Sequence, residues 1–362
     1  MRRTLLSFGM LGIALLFGGA SCLSLNSGSQ TNAGPAGVFV SVDSGENWQQ
    51  VSLLPEAEGV STLSDVSVYR LVEDPQDTNA VYWLSREHGM FFTYNDGRSW
   101  QRPAPPLNTG FVYSLAIHPK DKCTIYATNG RLLFKSEDCS RSWKEMYRES
   151  QSERVMAITF NPFSPHQLFM ATTGDAKGTV LQSSNGGVSW SVVRRFGARI
   201  EYMIADPYHE KTVYVATRSS GLFRTKDGGE TWVDLSDTMA NFSDALTYRR
   251  FYIHPKKPNI LYWVSTYGIL VSKDGGDSWE AMDLIIPPGS ANIYAFAVNP
   301  QNDNEMYFTA TIGGRSTFYR STDGGQNWNT KKLPTAQVPT AIRIHPERGE
   351  VVYIGFTIPP QE

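Results

Sequence analysis

The chain has 362 residues, room for one large domain or two ordinary ones, and its 33 Lys and Arg against 35 Asp and Glu leave a formal net charge of −2. A near-neutral chain without a basic stripe cannot neutralise a run of phosphates, which excludes nucleic acid as a partner. Aromatic residues at 12% and 31 glycines point to strands and turns rather than helices.

The first 22 residues stand apart from the rest of the chain. Arg2 and Arg3 precede an apolar run over 5–17, too short to span a bilayer in the usual way, and Gly18-Gly19-Ala20-Ser21-Cys22 closes the segment. This reads as a signal peptide. Small residues directly before a cysteine resemble the bacterial lipobox, with Gly19 where Leu is more usual, and the resemblance implies lipidation of Cys22; cleavage without a lipid is the alternative. Residues 23–37, rich in Ser, Asn and Gly, then read as a flexible tether. Leu23 is not the Asp that resembles an inner-membrane retention signal. The expectation is an exported, lipid-anchored protein of the bacterial cell envelope, at the outer membrane or facing the periplasm.

From residue 38 to 357 the chain repeats itself. An eight-residue phrase, Ser/Thr-x-Asp/Asn-x-Gly-x-x-Trp, occupies 41–48, 93–100, 136–143, 183–190, 225–232, 272–279 and 321–328, with Ser140 standing for the glycine in the third copy. Its polar residues are Asp43, Asn95, Asp138, Asn185, Asp227, Asp274 and Asp323, and the interval runs from 42 residues (Asn185 to Asp227) to 52 (Asp43 to Asn95). A short carboxylate or amide can accept a backbone N–H two residues on while the glycine takes a positive φ, so the phrase predicts a tight hairpin. The closing residues, Trp48, Trp100, Trp143, Trp190, Trp232, Trp279 and Trp328, are placed to lie between sheets, burying on the order of 150–250 Å² each.

The phrase is that of the Asp-box, or BNR repeat. The chain resembles the Asp-box β-propellers, a broad group that includes sialidases, xyloglucanase-type glycosidases, sortilin-type receptors and photosystem II assembly-factor-like proteins. The resemblance implies a propeller whose boxes sit on the rim, away from any chemistry.

A second landmark sets the blades. A period-2 apolar strand ends in Asp, His or Asn before Pro75, Pro119, Pro162, Pro207, Pro255, Pro300 and Pro346. Each is followed by a turn and a short strand bearing Tyr82, Tyr126, Phe169, Tyr214, Tyr262, Tyr307 or Tyr353, then another strand, the box and a fourth strand. The first box has no proline landmark before it and the last landmark has no box after it. The reading is therefore all-β: a seven-bladed propeller of four-stranded antiparallel blades, closed by a composite blade from the N- and C-terminal strands. Whole blades run over 66–102, 111–147, 155–193, 200–233, 248–282 and 293–332.

Strand order puts the proline turns and boxes on one face. The longer loops, such as 53–64, 102–110, 149–154, 234–245 and 285–291, lie on the other, where function is expected. Counting back five from each proline gives Arg70, Ser114, Ala157, Tyr202, Arg250, Ala295 and Ala341 as a row facing the channel. Arg70 and Arg250, with Arg249, Glu201, Tyr202 and Tyr248 near them, can form an anion- or peptide-recognising patch at the channel mouth. Solvated channel residues or structural ion pairs, such as Arg343 with Glu73, are the alternative. Arg194, Arg195 and Arg199 around Phe196 read as a loop that contacts an acidic partner or lipid headgroups, or as a solvated run. His118, His254 and His345 share the slot before Pro with Asp and Asn and read as turn residues; no metal-ligand set and no cofactor motif is visible. Cys123 and Cys139 fall at the same end of one blade, and in an exported protein either a disulfide or two free thiols fits.

A sialidase resemblance would imply an Arg triad and an Arg-Ile-Pro phrase near the first blade, whereas Arg343-Ile344-His345-Pro346 lies at the other end. Xyloglucanase-type enzymes resemble two propellers facing across a cleft, and the repeat here makes one. The expectation is a non-catalytic propeller that holds a protein or peptide partner of the cell envelope, with a lipid anchor in the membrane. A glycoside hydrolase or carbohydrate-binding propeller of sialidase or xyloglucanase type is the alternative.

Overall fold

Each inner strand runs on until a polar residue before proline, Asp, His or Asn, turns it. At all seven turns that residue accepts a local backbone N–H: Gln76 N–H donates to Asp74 Oδ1 at 2.8 Å, Lys120 N–H to His118 Nδ1 at 3.1 Å, and the other five turns are closed in the same way. The computed structural model describes residues 34–150 and 152–359. Repeated seven times, this turn generates a ring of antiparallel blades.

We number the blades I to VII by inner strand: Arg70–Asp74, Ser114–His118, Arg154–Phe160, Ile200–Ala205, Tyr248–Ile253, Asn292–Asn299 and Val338–Ile344. Blades II to VI each run through four consecutive strands, inner to outer. Blade VII is the composite: Val338–Ile344 and Val352–Thr357 pair with Gly37–Ser41 and Gln49–Gln50 from the other end of the chain. Blade I has three full strands, and its fourth is reduced to a single bridge between Phe92 and Gln101. Helix is almost absent, limited among the described residues to Ser236–Met239 in the 234–245 loop. The 53–64 loop is likewise structured: Leu53–Glu56 and Gly59–Thr62 form a two-stranded hairpin, because Leu54 and Leu63 are pulled into the core under blade I.

The boxes fold as hairpins, with a different hydrogen bond from the one expected. Ser272 Oγ donates to Asp274 Oδ1 at 2.8 Å and accepts Gly276 N–H at 2.7 Å, while Asp274 Oδ1 accepts the N–H of Ser278, four residues on, at 2.9 Å. The reason is a pair of successive left-handed residues, Gly275 at φ 77° and Gly276 at φ 102°, which curl the chain far enough to bring the fourth N–H round. In every blade the N–H of the box's fourth residue then donates to a carbonyl in the proline turn, at 2.8–3.2 Å. In blade II this contact joins Cys139 to Cys123, and the two are disulfide-bonded there.

Blades are tied to their neighbours by side chains that leave one blade for the next. The strand-two aromatics are all buried, and Tyr126 Oη donates to Gly186 O at 2.7 Å, Tyr214 Oη to Gly275 O at 3.2 Å and Tyr353 Oη to Asp96 O at 3.3 Å. Each acceptor is the fourth residue of the next blade's box. The box tryptophans reach the other way: Trp100 Nε1 donates to Val51 O at 2.8 Å, Trp328 Nε1 to Asp283 O at 3.0 Å, and Trp48 packs edge-on to Phe318. Trp100, Trp279 and Trp328 are buried and the other four half-buried. The boxes are girders, as the repeat implied.

The tether ends sooner than expected. Ala36 is fully buried and Gln337 Nε2 donates to Gly34 O at 2.9 Å, so residues 34–37 belong to blade VII. The leader, the rest of the tether and Cys22 lie outside the described residues.

Candidate functional site

A channel of about 500 Å³ runs down the ring, lined by the inner strands. Arg70, Ser114, Tyr202, Arg250 and Ala341 of the expected row line it, whereas Ala157 and Ala295 are fully buried. At its mouth, away from the boxes, two arginines reach across the lumen. The Arg70 guanidinium of blade I lies 4.6 Å from the ring centroid of Tyr202 on blade IV and 5.0 Å from that of Tyr69, and its Nη2 donates to Glu201 O at 3.4 Å. Arg250 of blade V donates from Nη1 to Arg249 O at 2.9 Å and from Nη2 to Thr340 O of blade VII at 3.1 Å. Burial raises the pKa of Tyr202, Tyr248 and Tyr252, outweighing the two arginines, so the phenols around them stay neutral.

The rim is built by bulges. In blades III to VII the pairing of inner and second strands slips at one residue: Met156, Glu201, Arg249, Tyr294 and Thr340, each six before the landmark proline. In blades I and II the same position, Tyr69 and Tyr113, donates its N–H to Leu84 O and Thr128 O, residues that also pair Arg70 and Ser114. A bulge re-aims a side chain that strict alternation would hide. Glu201 is thereby held between Arg218 Nε at 3.3 Å and Arg199 Nε at 3.9 Å, and Arg249 sits over Tyr294 with Nη2 donating to Asn292 Oδ1 at 3.3 Å.

Counting back five residues misses this second row, which counting back six finds. Further rim residues come from loops and from the start of the blade III inner strand. Phe111 stacks on Tyr113 at 3.8 Å and meets Tyr69 edge-on at 4.9 Å; Arg86 lies over Tyr69 and Phe111, and Arg154 Nη1 donates to Tyr113 Oη at 2.7 Å. On the inner strands the acidic residues are Glu73, Asp74 and Glu201. Glu73 is bound to Arg343 at 2.8 Å, the ion pair anticipated from sequence, and Asp74 serves its turn, which leaves Glu201 at the mouth. The basic run is not a loop: Arg194 and Arg195 lie in the outer strand Ser191–Phe196 of blade III. Among the described residues no group of three or more His, Cys, Asp or Glu is arranged to hold a metal ion.

Fold and repeat together define the class: the chain is a seven-bladed Asp-box β-propeller. The BNR/Asp-box repeat profile matches residues 319–330, and the Sortilin-Vps10 profile (sortilin, neurotensin receptor 3) matches residues 178–268. The chain is 30% identical over 192 residues to an oligoxyloglucan-reducing end-specific xyloglucanase of Emericella nidulans, covering 45% of this chain and 23% of that protein. It is 27% identical over 241 residues to a xyloglucanase of Acetivibrio thermocellus, covering 60% of this chain and 25% of the relative. Its fold is similar to that of a xyloglucanase from Xanthomonas campestris, with a TM-score of 0.64 at 15% identity over 86% of this chain and 52% of the other. The chain thus spans about half of that solved xyloglucanase and about a quarter of the two curated relatives.

These comparisons correct the expectation of a non-catalytic, protein- or peptide-binding propeller. The matched sequences and folds are mostly xyloglucanases, and the likeness in sequence to the photosystem II assembly protein Ycf48 of Thermosynechococcus vestitus, 25% identical, covers only 44% of this chain. Counting one propeller was the wrong ground for setting hydrolysis aside, because this single ring aligns with about half of a solved xyloglucanase.

Proposed function

We propose that this propeller is carbohydrate-directed and belongs to the glycan-handling apparatus of a xyloglucanase-type glycoside hydrolase, with the sugar chain laid across the mouth of the channel. The observation that carries the reading is the likeness to xyloglucanases over up to 266 aligned residues. The mouth supplies suitable chemistry. The half-buried rings of Tyr69 and Phe111 offer apolar surface to sugar C–H groups, and the arginines and Asn292 offer polar partners to hydroxyls.

Glycoside hydrolysis uses two carboxyl groups, about 5–9.5 Å apart depending on stereochemistry. In this reading Glu201, the inner-strand carboxylate left at the mouth, is one of the pair. The leader with Cys22 and the disulfide in blade II support an exported protein held at an envelope membrane by a lipid.

Incubation with xyloglucan-derived oligosaccharides tests the reading. Release of reducing ends that disappears in Glu201→Gln is the expected result; absence of both turnover and saturable binding overturns it.

A further inference from the structure

We propose that the channel mouth selects glycans bearing carboxylate groups, that is uronate-containing oligosaccharides, through five arginines that have no acidic partner; the inference rests on the carbohydrate reading above.

The five are Arg70, Arg86, Arg154, Arg249 and Arg250, brought to one face by inner-strand ends and the loop after Leu84. None lies within ion-pair distance of a carboxylate among the described residues. Among the described residues elsewhere, every arginine that is at least half-buried has a carboxylate partner, and those without one, such as Arg98, Arg131 and Arg315, are exposed. Arg224 pairs with Asp277 at 2.8 Å, Arg320 with Glu305 at 2.6 Å, Arg343 with Glu73 at 2.8 Å and Arg348 with Asp96 at 2.7 Å. Nearby, Glu201 is already engaged by Arg199 and Arg218, a trio that itself carries one net positive charge.

What the five do contact is neutral. Arg70 stacks on Tyr202 and Tyr69, Arg86 lies over Tyr69 and Phe111, and Arg249 lies over Tyr294. Arg154 meets a phenol hydroxyl and Arg250 two backbone carbonyls. A guanidinium that spends its face on a ring keeps its edge N–H donors for a ligand, in the fork that fits a carboxylate. The Nε–H of Arg249 is buried and has no acceptor. A neutral chain laid over this mouth would take these cations out of water with no counter-charge, which is costly; a chain with carboxylates removes the penalty.

The test is calorimetric titration of the full-length protein with trigalacturonate, its methyl ester and a neutral xyloglucan oligosaccharide, at low and raised salt. The acid should bind tighter than the ester by about tenfold or more, the effect of one charge-assisted hydrogen bond, with the advantage shrinking in salt. Arg250→Gln should cut the acid's affinity more than the ester's and so shrink the advantage. Arg86→Gln, an exposed change that leaves the lumen intact, should reduce it and guards against misfolding of the first variant. Equal affinity for acid and ester overturns this inference while leaving the carbohydrate reading standing. Binding of no saccharide overturns both. A peptide C-terminal carboxylate that displaces the uronate at lower concentration also overturns it.

Discussion

The Arg70 guanidinium and the Tyr202 ring, carried by blades I and IV, meet across the channel at 4.6 Å with no carboxylate near either terminal nitrogen. The pair ties opposite sides of the ring at its mouth. A cation over an aromatic face contributes about 0.5–2 kcal/mol, depending on desolvation. A double-mutant cycle with Arg70→Ala and Tyr202→Leu should therefore give a coupling energy in that range in chemical denaturation. Strict additivity of the two changes would show that the stack is incidental.

The box carboxylates predict a specific acid lability. Hydrogen bonds from the residue four positions on hold Asp43, Asp138 and Asp323 down to about 2, against an ordinary value of 3.8; Asp274 reaches about 2 although partial burial opposes it. A folded-state pKa below the unfolded one gives stability that is complete above 3.8 and is lost as the pH falls through about 2. Thermal melting should fall across that window. Asp274→Asn should shrink the fall, since Asn95 and Asn185 already fill the same slot in two boxes without titrating there. A melting profile that ignores this substitution would contradict the assignment.

Ser140 occupies the glycine position of the third box at φ 68°, and its Oγ is buried without a partner. Left-handed backbone costs a residue with a Cβ about 1–2 kcal/mol, and a buried idle hydroxyl adds to that. Ser140→Gly should stabilise the protein by roughly 1 kcal/mol, after the extra entropy of glycine in the unfolded chain is subtracted. Urea unfolding with an unchanged m-value and a higher midpoint is the expected readout.

The Cys123–Cys139 bridge closes a loop with a sequence separation of 16. In the chain-entropy account a loop of that size is worth about 3 kcal/mol. The Cys123→Ser, Cys139→Ser double variant should lose roughly that amount on the same scale. Reduction of the wild type should reproduce it, whereas the double variant should be indifferent to reductant.

Phe111 forms the rim platform with Tyr113 and Tyr69 but contacts neither lumen arginine. Phe111→Ala should weaken oligosaccharide binding by roughly fivefold, in keeping with about 1 kcal/mol for a lost aromatic contact. The acid-over-ester preference should persist, because the guanidiniums remain. Loss of preference without loss of affinity would reverse the assigned roles.

Much of this molecule was legible along the chain, and for a local reason. The box and the proline turn each close within a few residues, so their chemistry is written in adjacent positions, and their mismatch at the two ends dictated that Gly37–Ser41 must pair with Val352–Thr357. The rim was legible only in part. Strict alternation picked out Arg70, Tyr202 and Arg250 and, with their sequence neighbours, Glu201 and Arg249, but it could not see that a bulge in blade after blade turns a second residue toward the mouth. Nor could it see that Arg86, Phe111 and Arg154 converge from separate blades, since that arises from the ring's curvature rather than from any spacing along the chain. The amino-acid order by itself determined seven blades and how they close, because short-range turns and burial specify them. Which charges stand together without a counter-charge was decided only when closure of the ring brought distant strands side by side.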